Sequence, residues 1–231
     1  MSPYKELKEA AWKANMDLAD SGLVIATFGN VSEYDKDRGV YAIKPSGVPY
    51  PELTADMMTV VDLDNTVVEG TLRPSSDTKT HTVLYRSFPE IRGICHTHST
   101  YAVAWAQAMK PVPILGTTHA DHLADDIPCT LPMSDEMIKG DYETETGNQI
   151  VQHFGNLSCK EIGMVLVACH GPFTWGDNAD KALYNSIILE ELCKMAYLSR
   201  KINPGVPRLY DALINKHYQR KHGANAYYGQ K

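Results

Sequence analysis

Residues 93–100 read GICHTHST, preceded by Ile91-Arg92. The apolar run through Ile94 and Cys95 has the form of a β-strand nearing its end, and in a strand the side chains at i and i+2 leave the same face. His96 and His98 then project side by side, as two ligands of one metal ion would. Nine histidines in 231 residues give about 0.35 such pairs by chance, so the pair alone assigns no chemistry. It does mark a strand end, and the chain on either side shows what kind of fold that strand joins.

Upstream, Leu7, Ala11, Ala14 and Leu18 recur at helical spacing, with Pro3 suited to the first turn and Gly22 to the stop. Residues 23–28 form a β-rich run that ends at Gly29-Asn30, residues 40–43 and 58–63 read as further strands, and residues 81–88 look helical. Residues 93–98 form the strand described above, and Ser99 stands where it can cap a short helix through Met109. A strand near 112–117 leads to a polar, Asp-rich loop, and residues 164–168 make an apolar strand. Residues 178–200 carry the longest helical pattern, with Ala182, Leu189, Leu192 and Ala196 on one face, and a last helix over 207–222 stops at Gly223. Short turns between many of the strands indicate antiparallel pairing. The pattern predicts an α/β fold, a single three-layer α/β/α domain over residues 1–231 with a central, mainly antiparallel sheet.

Composition narrows the function classes. Apolar residues make up 43% of the chain, enough for a sizeable core. The net charge is −6 with no basic block, which argues against nucleic acid as a partner. The five cysteines are odd in number and form no C-x-x-C, a pattern of a reducing compartment. The N-terminus opens on a charged helical pattern rather than a signal peptide, and the longest aliphatic run, 164–169, is too short to span a membrane. These features lead to the expectation of a cytoplasmic protein with no membrane partner.

A metal site at His96 and His98 needs more ligands. His170, in VLVACHGPF, follows a second apolar strand and precedes the turn signal Gly171-Pro172. Asp77, in RPSSDTKTH, lies at a loop-to-helix junction, where it would serve equally as a helix N-cap. His81, four residues later, competes as a ligand or packs within its helix. Three histidines and a carboxylate suit Zn²⁺, with Mn²⁺ or Co²⁺ as the other candidates. Three further segments, FGN (28–30), KPSG (44–47) and PSS (74–76), read singly as ordinary turns. Taken together, their backbone N–H groups, serine hydroxyls, Asn30 amide and Lys44 can cradle a phosphate. No Gly-x-Gly-x-x-Gly or P-loop is present, so a nucleotide cofactor has no visible home.

TFGNVS (27–32), IKPSGV (43–48), RPSSDT (73–78), CHTHST (95–100), GTTHAD (116–121), CHGPF (169–173) and KHGANAYYGQ (221–230) together resemble the class II aldolase family, collinearly along almost the whole chain. The resemblance implies a divalent metal on Asp77, His96, His98 and His170, and phosphate contacts from Gly29, Asn30, Lys44, Ser46, Gly47, Ser75 and Ser76. It implies that Asp121 and Tyr228 form an acid–base pair, supported by Glu143 and His217. It also implies a C4 homotetramer whose active sites lie between subunits, with residues 224–231 a tail that reaches the interface. The activity implied is inversion of C4 in a phosphorylated ketopentose, in arabinose or ascorbate catabolism. The C4 hydrogen is two carbons from the carbonyl and is not acidic, so inversion requires either oxidation or C3–C4 cleavage. With no nicotinamide site, metal-assisted retro-aldol cleavage and re-addition is the route expected. Two rivals come from the same family. Its sugar-phosphate aldolases carry Glu at the position of Asp77, and its adducin head domains serve in assembly and lack the ligand set. His122-Leu123 departs from the family, where aromatic residues are expected.

Overall fold

The computed structural model describes residues 2–224, 226 and 227, and Tyr228 therefore lies outside the described residues. Eight α-helices and seven strands are described. In chain order they run α1 Lys5–Asp20, β1 Asn30–Asp35, β2 Val40–Ile43, β3 Thr59–Asp62, β4 Val67–Glu69, α2 Thr78–Ser87, β5 Gly93–His96 and α3 Thr100–Gln107. There follow α4 Thr117–Ala120, α5 Asp135–Lys139, α6 Tyr142–His153, β6 Met164–Val167, β7 Gly171–Gly176, α7 Ala179–Ile202 and α8 Asp211–His222. The strands form one sheet in the order β4-β3-β2-β1-β5-β7-β6, and each neighbouring pair is antiparallel.

Period-2 alternation divides the strands between two helical layers. Tyr41 and Ile43 pack with Leu84 of α2 and Ile150 of α6, while Val40 and Ala42 pack with Leu7 and Ala11 of α1. In β6, Val165 and Val167 join the α2/α6 side, whereas Met164 and Leu166 meet α3 and α7. Cys95 and Val31 pack with Leu18 of α1 and Ala182 of α7. The result is the three-layer α/β/α arrangement with an antiparallel sheet that the sequence pattern predicts.

Several elements depart from the sequence reading. Residues 23–28 form no strand: Ala26 (φ 53°) and Gly29 (φ 88°) take left-handed backbone, and β1 begins only at Asn30. The strand over 93–98 stops at His96. Residues 112–117 contribute a single bridge, Val112 to Ile127, because the Ile114 N–H is taken by the Asp126 carboxylate and α4 opens at Thr117. Ser99 is the N-cap residue of α3 without a side-chain cap; the buried Glu190 carboxylate of α7 accepts from the Tyr101 and Ala102 N–H groups instead, at 2.8 Å each. The last helix starts at Asp211 rather than 207. Pro172 lies inside β7, a strand flanked on both sides, and the turn falls before it at 168–170, where Cys169 takes φ 64°.

Four chain segments thus end together at one edge of the sheet: the start of β1, the end of β2, the end of β5 and the β6–β7 turn. Antiparallel pairing enforces this, since Asn30 is opposite His96 and His96 is opposite Phe173. At the other end of β5 the N-terminus of α7 rests on the strand, with the Ala179 N–H donating to Glu33. A Cβ on Gly93 would fall 2.1 Å from the Asn178 carbonyl oxygen, so only glycine permits that approach. Gly93→Ala should cost about 1–3 kcal/mol of stability by overpacking against backbone. Gly205→Ala, whose nearest neighbour would be 3.7 Å away, serves as the near-neutral control in thermal or urea denaturation.

Candidate active site

One cavity of about 370 Å³ opens at this edge, on the α2/α6 side of the sheet. His96, His98, His170 and Asp77 line it, and so do Gly29, Asn30, Lys44, Ser46, Gly47, Ser75, Ser76 and Glu143. The structure therefore gathers into one space residues that lie more than a hundred positions apart in sequence.

His96 ends β5, with its ring stacked on Phe173 at 4.2 Å between centroids. Its Nδ1–H donates to the Pro172 carbonyl at 2.9 Å, which fixes the tautomer and leaves the Nε2 lone pair directed outward. The His98 Nε2 lies 3.1 Å from it. His170, on the β6–β7 turn, brings its ring to 4.9 Å from His96 and 5.3 Å from His98. One nitrogen from each of the three falls within 4.8 Å of the others. The His170 Nδ1 is buried with no hydrogen-bond partner among the described residues. Burial pushes the His170 pKa down to about 4 and lowers that of His98, so both are neutral near pH 7 and offer lone pairs. Three convergent imidazole nitrogens fit a divalent cation.

Asp77 holds the N-cap position of α2, yet its side chain caps nothing. Its Oδ2 accepts from the Asn30 amide at 2.7 Å. Burial opposes its charge, but the potentials of His96 and His81 and the Asn30 hydrogen bond outweigh burial and hold its pKa below the usual carboxylate value. His81 does not line the cavity: it is fully buried, with Nδ1 3 Å or less from the Ser32 hydroxyl, at 2.8 Å.

The other half of the cavity gathers Lys44 with the glycines and serines of three turn segments. Lys44 is 2% exposed, its Nζ sits 4.8 Å above the Tyr50 ring, and no carboxylate pairs with it among the described residues. Burial accordingly lowers its pKa. Around it, a bridge between Pro45 and Pro74 brings the KPSG and PSS segments together. The Ser46 and Ser75 N–H groups bond the Arg73 and Lys44 carbonyls, so these serines present hydroxyls. Gly47, at φ 74°, and Ser76 stand outside that bridge.

Asp121 and His217 are not part of this cavity. Asp121 follows α4, and α8 reaches across to it: Arg220 Nε and Nη2 donate to Oδ1 at 3.0 Å and to Oδ2 at 2.7 Å, and His217 Nδ1 donates to Oδ1 at 3.0 Å. Of the tail, the Tyr227 N–H donates to the Arg220 carbonyl at 3.0 Å. His122 and Leu123 face a different cavity, bordered by Trp175, Lys181 and Tyr218, and Leu123 is buried. Sequence reasoning passed over Phe28 and Tyr142, which line the first cavity with rings 5.6 Å from His98 and 6.3 Å from His170. Their proximity to the FGN motif and to Glu143 was the available signal.

Residues 9–197 match the model of the class II aldolase and adducin N-terminal domain family. The chain belongs to the class II aldolase family. Among curated relatives, the L-ribulose-5-phosphate 4-epimerases UlaF of Salmonella paratyphi A (strain ATCC 9150 / SARB42) and Salmonella typhi are each 51% identical over 227 residues, 98% of this chain and 100% of theirs. Among solved structures, an L-fuculose 1-phosphate aldolase superposes with a TM-score of 0.79 at 24% identity, covering 95% of this chain and 97% of its own, and supports the fold. The class II aldolase fold is thus common to both reaction types. Among the described residues no helix is long and apolar enough to cross a membrane.

If the three imidazoles hold the ion, His170→Asn or His98→Asn should sharply lower bound zinc, manganese or cobalt per subunit by elemental analysis, with the fold intact by circular dichroism. Full metal content in both variants contradicts the site.

Proposed function

We propose that this chain epimerises L-ribulose 5-phosphate and D-xylulose 5-phosphate at C4 by breaking and remaking the C3–C4 bond. The observation that carries the reading is a single cavity holding a buried, uncompensated lysine beside three convergent histidines, in a chain half identical to epimerases of that name. A cavity of about 370 Å³ suits a five-carbon sugar phosphate.

In this proposal Asp77, His96, His98 and His170 hold a divalent ion, most simply Zn²⁺, with Glu143 beside them. The bound ion supplies Lewis-acid stabilisation of negative charge on the substrate's C2 and C3 oxygens. Lys44, Asn30, Gly29, Gly47 and the hydroxyls of Ser46, Ser75 and Ser76 bind the 5-phosphate. A base takes the proton from the C4 hydroxyl and the C3–C4 electrons move toward C2, leaving the enediolate of dihydroxyacetone and glycolaldehyde phosphate. The phosphate stays anchored while the aldehyde turns about C4–C5 and offers its other face. C3 attacks, and an acid delivers a proton to the new C4 alkoxide. Asp121 and Tyr228 exchange these roles with direction, one on each side of the aldehyde.

Asp121 is remote from the cavity of its own chain, which favours sites completed by a neighbouring subunit, in a C4 homotetramer. Exposed apolar side chains along α7, including Ile187, Met195, Leu198 and Ile202, offer area for such contacts. We assign the protein to the cytoplasm and to pentose catabolism. The aldolase alternative is less favoured, because Asp77 is a methylene shorter than the glutamate of those enzymes and is hydrogen-bonded to Asn30.

Lys44→Met should raise KM for L-ribulose 5-phosphate at least tenfold, since a charge-assisted hydrogen bond contributes about 1.5–3 kcal/mol. An unchanged KM contradicts the anion site. Asp121→Asn and Tyr228→Phe should each slow turnover by roughly 10²–10⁴-fold with metal retained. Mixing inactive Tyr228→Phe subunits with inactive His96→Asn subunits should restore activity if sites are shared, and should restore none if each subunit builds its own.

A further inference from the structure

A carboxylate offers about four lone-pair positions. In Asp121 three are filled. Oδ1 accepts from both His217 Nδ1 and Arg220 Nε, and Oδ2 accepts from Arg220 Nη2. Among the described residues one position remains, on Oδ2, in a side chain that is 14% exposed. We propose that Arg220 is a positioning residue for the reaction: its two-pronged grip turns the Asp121 carboxylate so that a single Oδ2 lone pair is left to exchange the proton of the substrate's C4 hydroxyl. The inference rests on the acid–base reading of Asp121 given above.

The rival explanation is that the pair only pins α8 to the body of the protein. Other contacts already do that. The Leu209 N–H donates to the Ile114 carbonyl at 2.8 Å, Arg208 reaches Asp126 at 3.1 Å and Asp125 at 3.3 Å, and Ile214 is buried with Ile114 and Ala120. The guanidinium fork, moreover, satisfies both oxygens of one carboxylate in a plane, which an ammonium cannot do. Arg220 also accepts the Tyr227 N–H on its own carbonyl.

Among the described residues, the charged and titratable groups that act on Asp121 are basic. Arg220, His217 and Lys221 come from α8, His222 donates to the Asp121 backbone carbonyl at 3.0 Å, and His122 adjoins it in the chain. Partial burial works against the carboxylate's charge, but the Arg220 and His217 hydrogen bonds prevail and keep its pKa below the ordinary value. Removing Arg220 takes away the largest of those hydrogen bonds, so the pKa must rise, and the pH below which Asp121 is protonated rises with it.

The test uses the metal-loaded enzyme and its pH–rate profile. Arg220→Gln should lower kcat about tenfold or more while KM changes less than about twofold, and the acidic limb of kcat should move up by about one pH unit, as loss of an adjacent opposite charge does. Arg220→Lys, which keeps the charge but not the fork, should restore the limb and only part of kcat; it also stands in if Arg220→Gln fails to fold. A loss of thermal stability with kcat and the pH limb unmoved overturns the proposal in favour of the pinning role. Asp121→Asn, measured in parallel, separates the two claims. If it is slow and Arg220→Gln is not, the positioning proposal alone falls. If Asp121→Asn is fully active, the acid–base reading falls and takes the proposal with it.

Discussion

The site depends on the register of β5. That strand lies mid-sheet between β1 and β7, and its last residue, His96, pairs with Asn30 on one side and Phe173 on the other. Because both neighbours are antiparallel, β1 starts and the β6–β7 turn closes where β5 stops. A shift of one residue would turn His96 to the α1/α7 face and exchange it for an apolar neighbour. Register is held by packing: Ile94 must meet the α2/α6 core and Cys95 the α1/α7 core. The burial of two ordinary apolar residues therefore aims the imidazole, and the Pro172 carbonyl then selects which nitrogen faces outward.

The same edge concentrates groups that are costly to leave alone. A buried ammonium at Lys44 and a buried nitrogen on His170 that has no partner among the described residues are each costly to leave alone. In the proposed function an anion beside Lys44 and a cation among the histidines would relieve these costs, and the two together would set the direction of a bound sugar phosphate. Asp121 is held apart from this centre. Asp121 stands on the α4–α8 unit, where basic neighbours keep it ionised, and that separation is what a site divided between subunits requires.

Much of this was legible in the amino-acid order, for identifiable reasons. Strong periodicity marked α1 and α7, since Leu7, Ala11, Ala14 and Leu18, and Ala182, Leu189, Leu192 and Ala196, are all buried. The histidine, Gly-Asn and Ser-Ser motifs stood out because together they supply metal-binding and anion-binding groups. What failed was local propensity where tertiary contacts decide. Residues 23–28 are β-rich but end in left-handed backbone at Gly29, and the real strand begins with the polar Asn30, Ser32 and Glu33. Pro172 argued for a turn, yet it sits in β7, where its carbonyl accepts from His96. His98 was expected in the strand and reaches its partner from just beyond it. The bond of His217 to Asp121 joins segments nearly a hundred residues apart, which no local pattern reveals.

The central claim is that C4 is inverted by opening the C3–C4 bond. Isotope effects on the turnover of L-ribulose 5-phosphate test it most directly, with ¹³C at C3 or C4 and, separately, deuterium at C4. The account predicts measurable slowing by ¹³C at both carbons and only a small secondary effect of deuterium, because the C4 hydrogen never leaves its carbon. A several-fold primary deuterium effect at C4, with no ¹³C effect at C3, would contradict it.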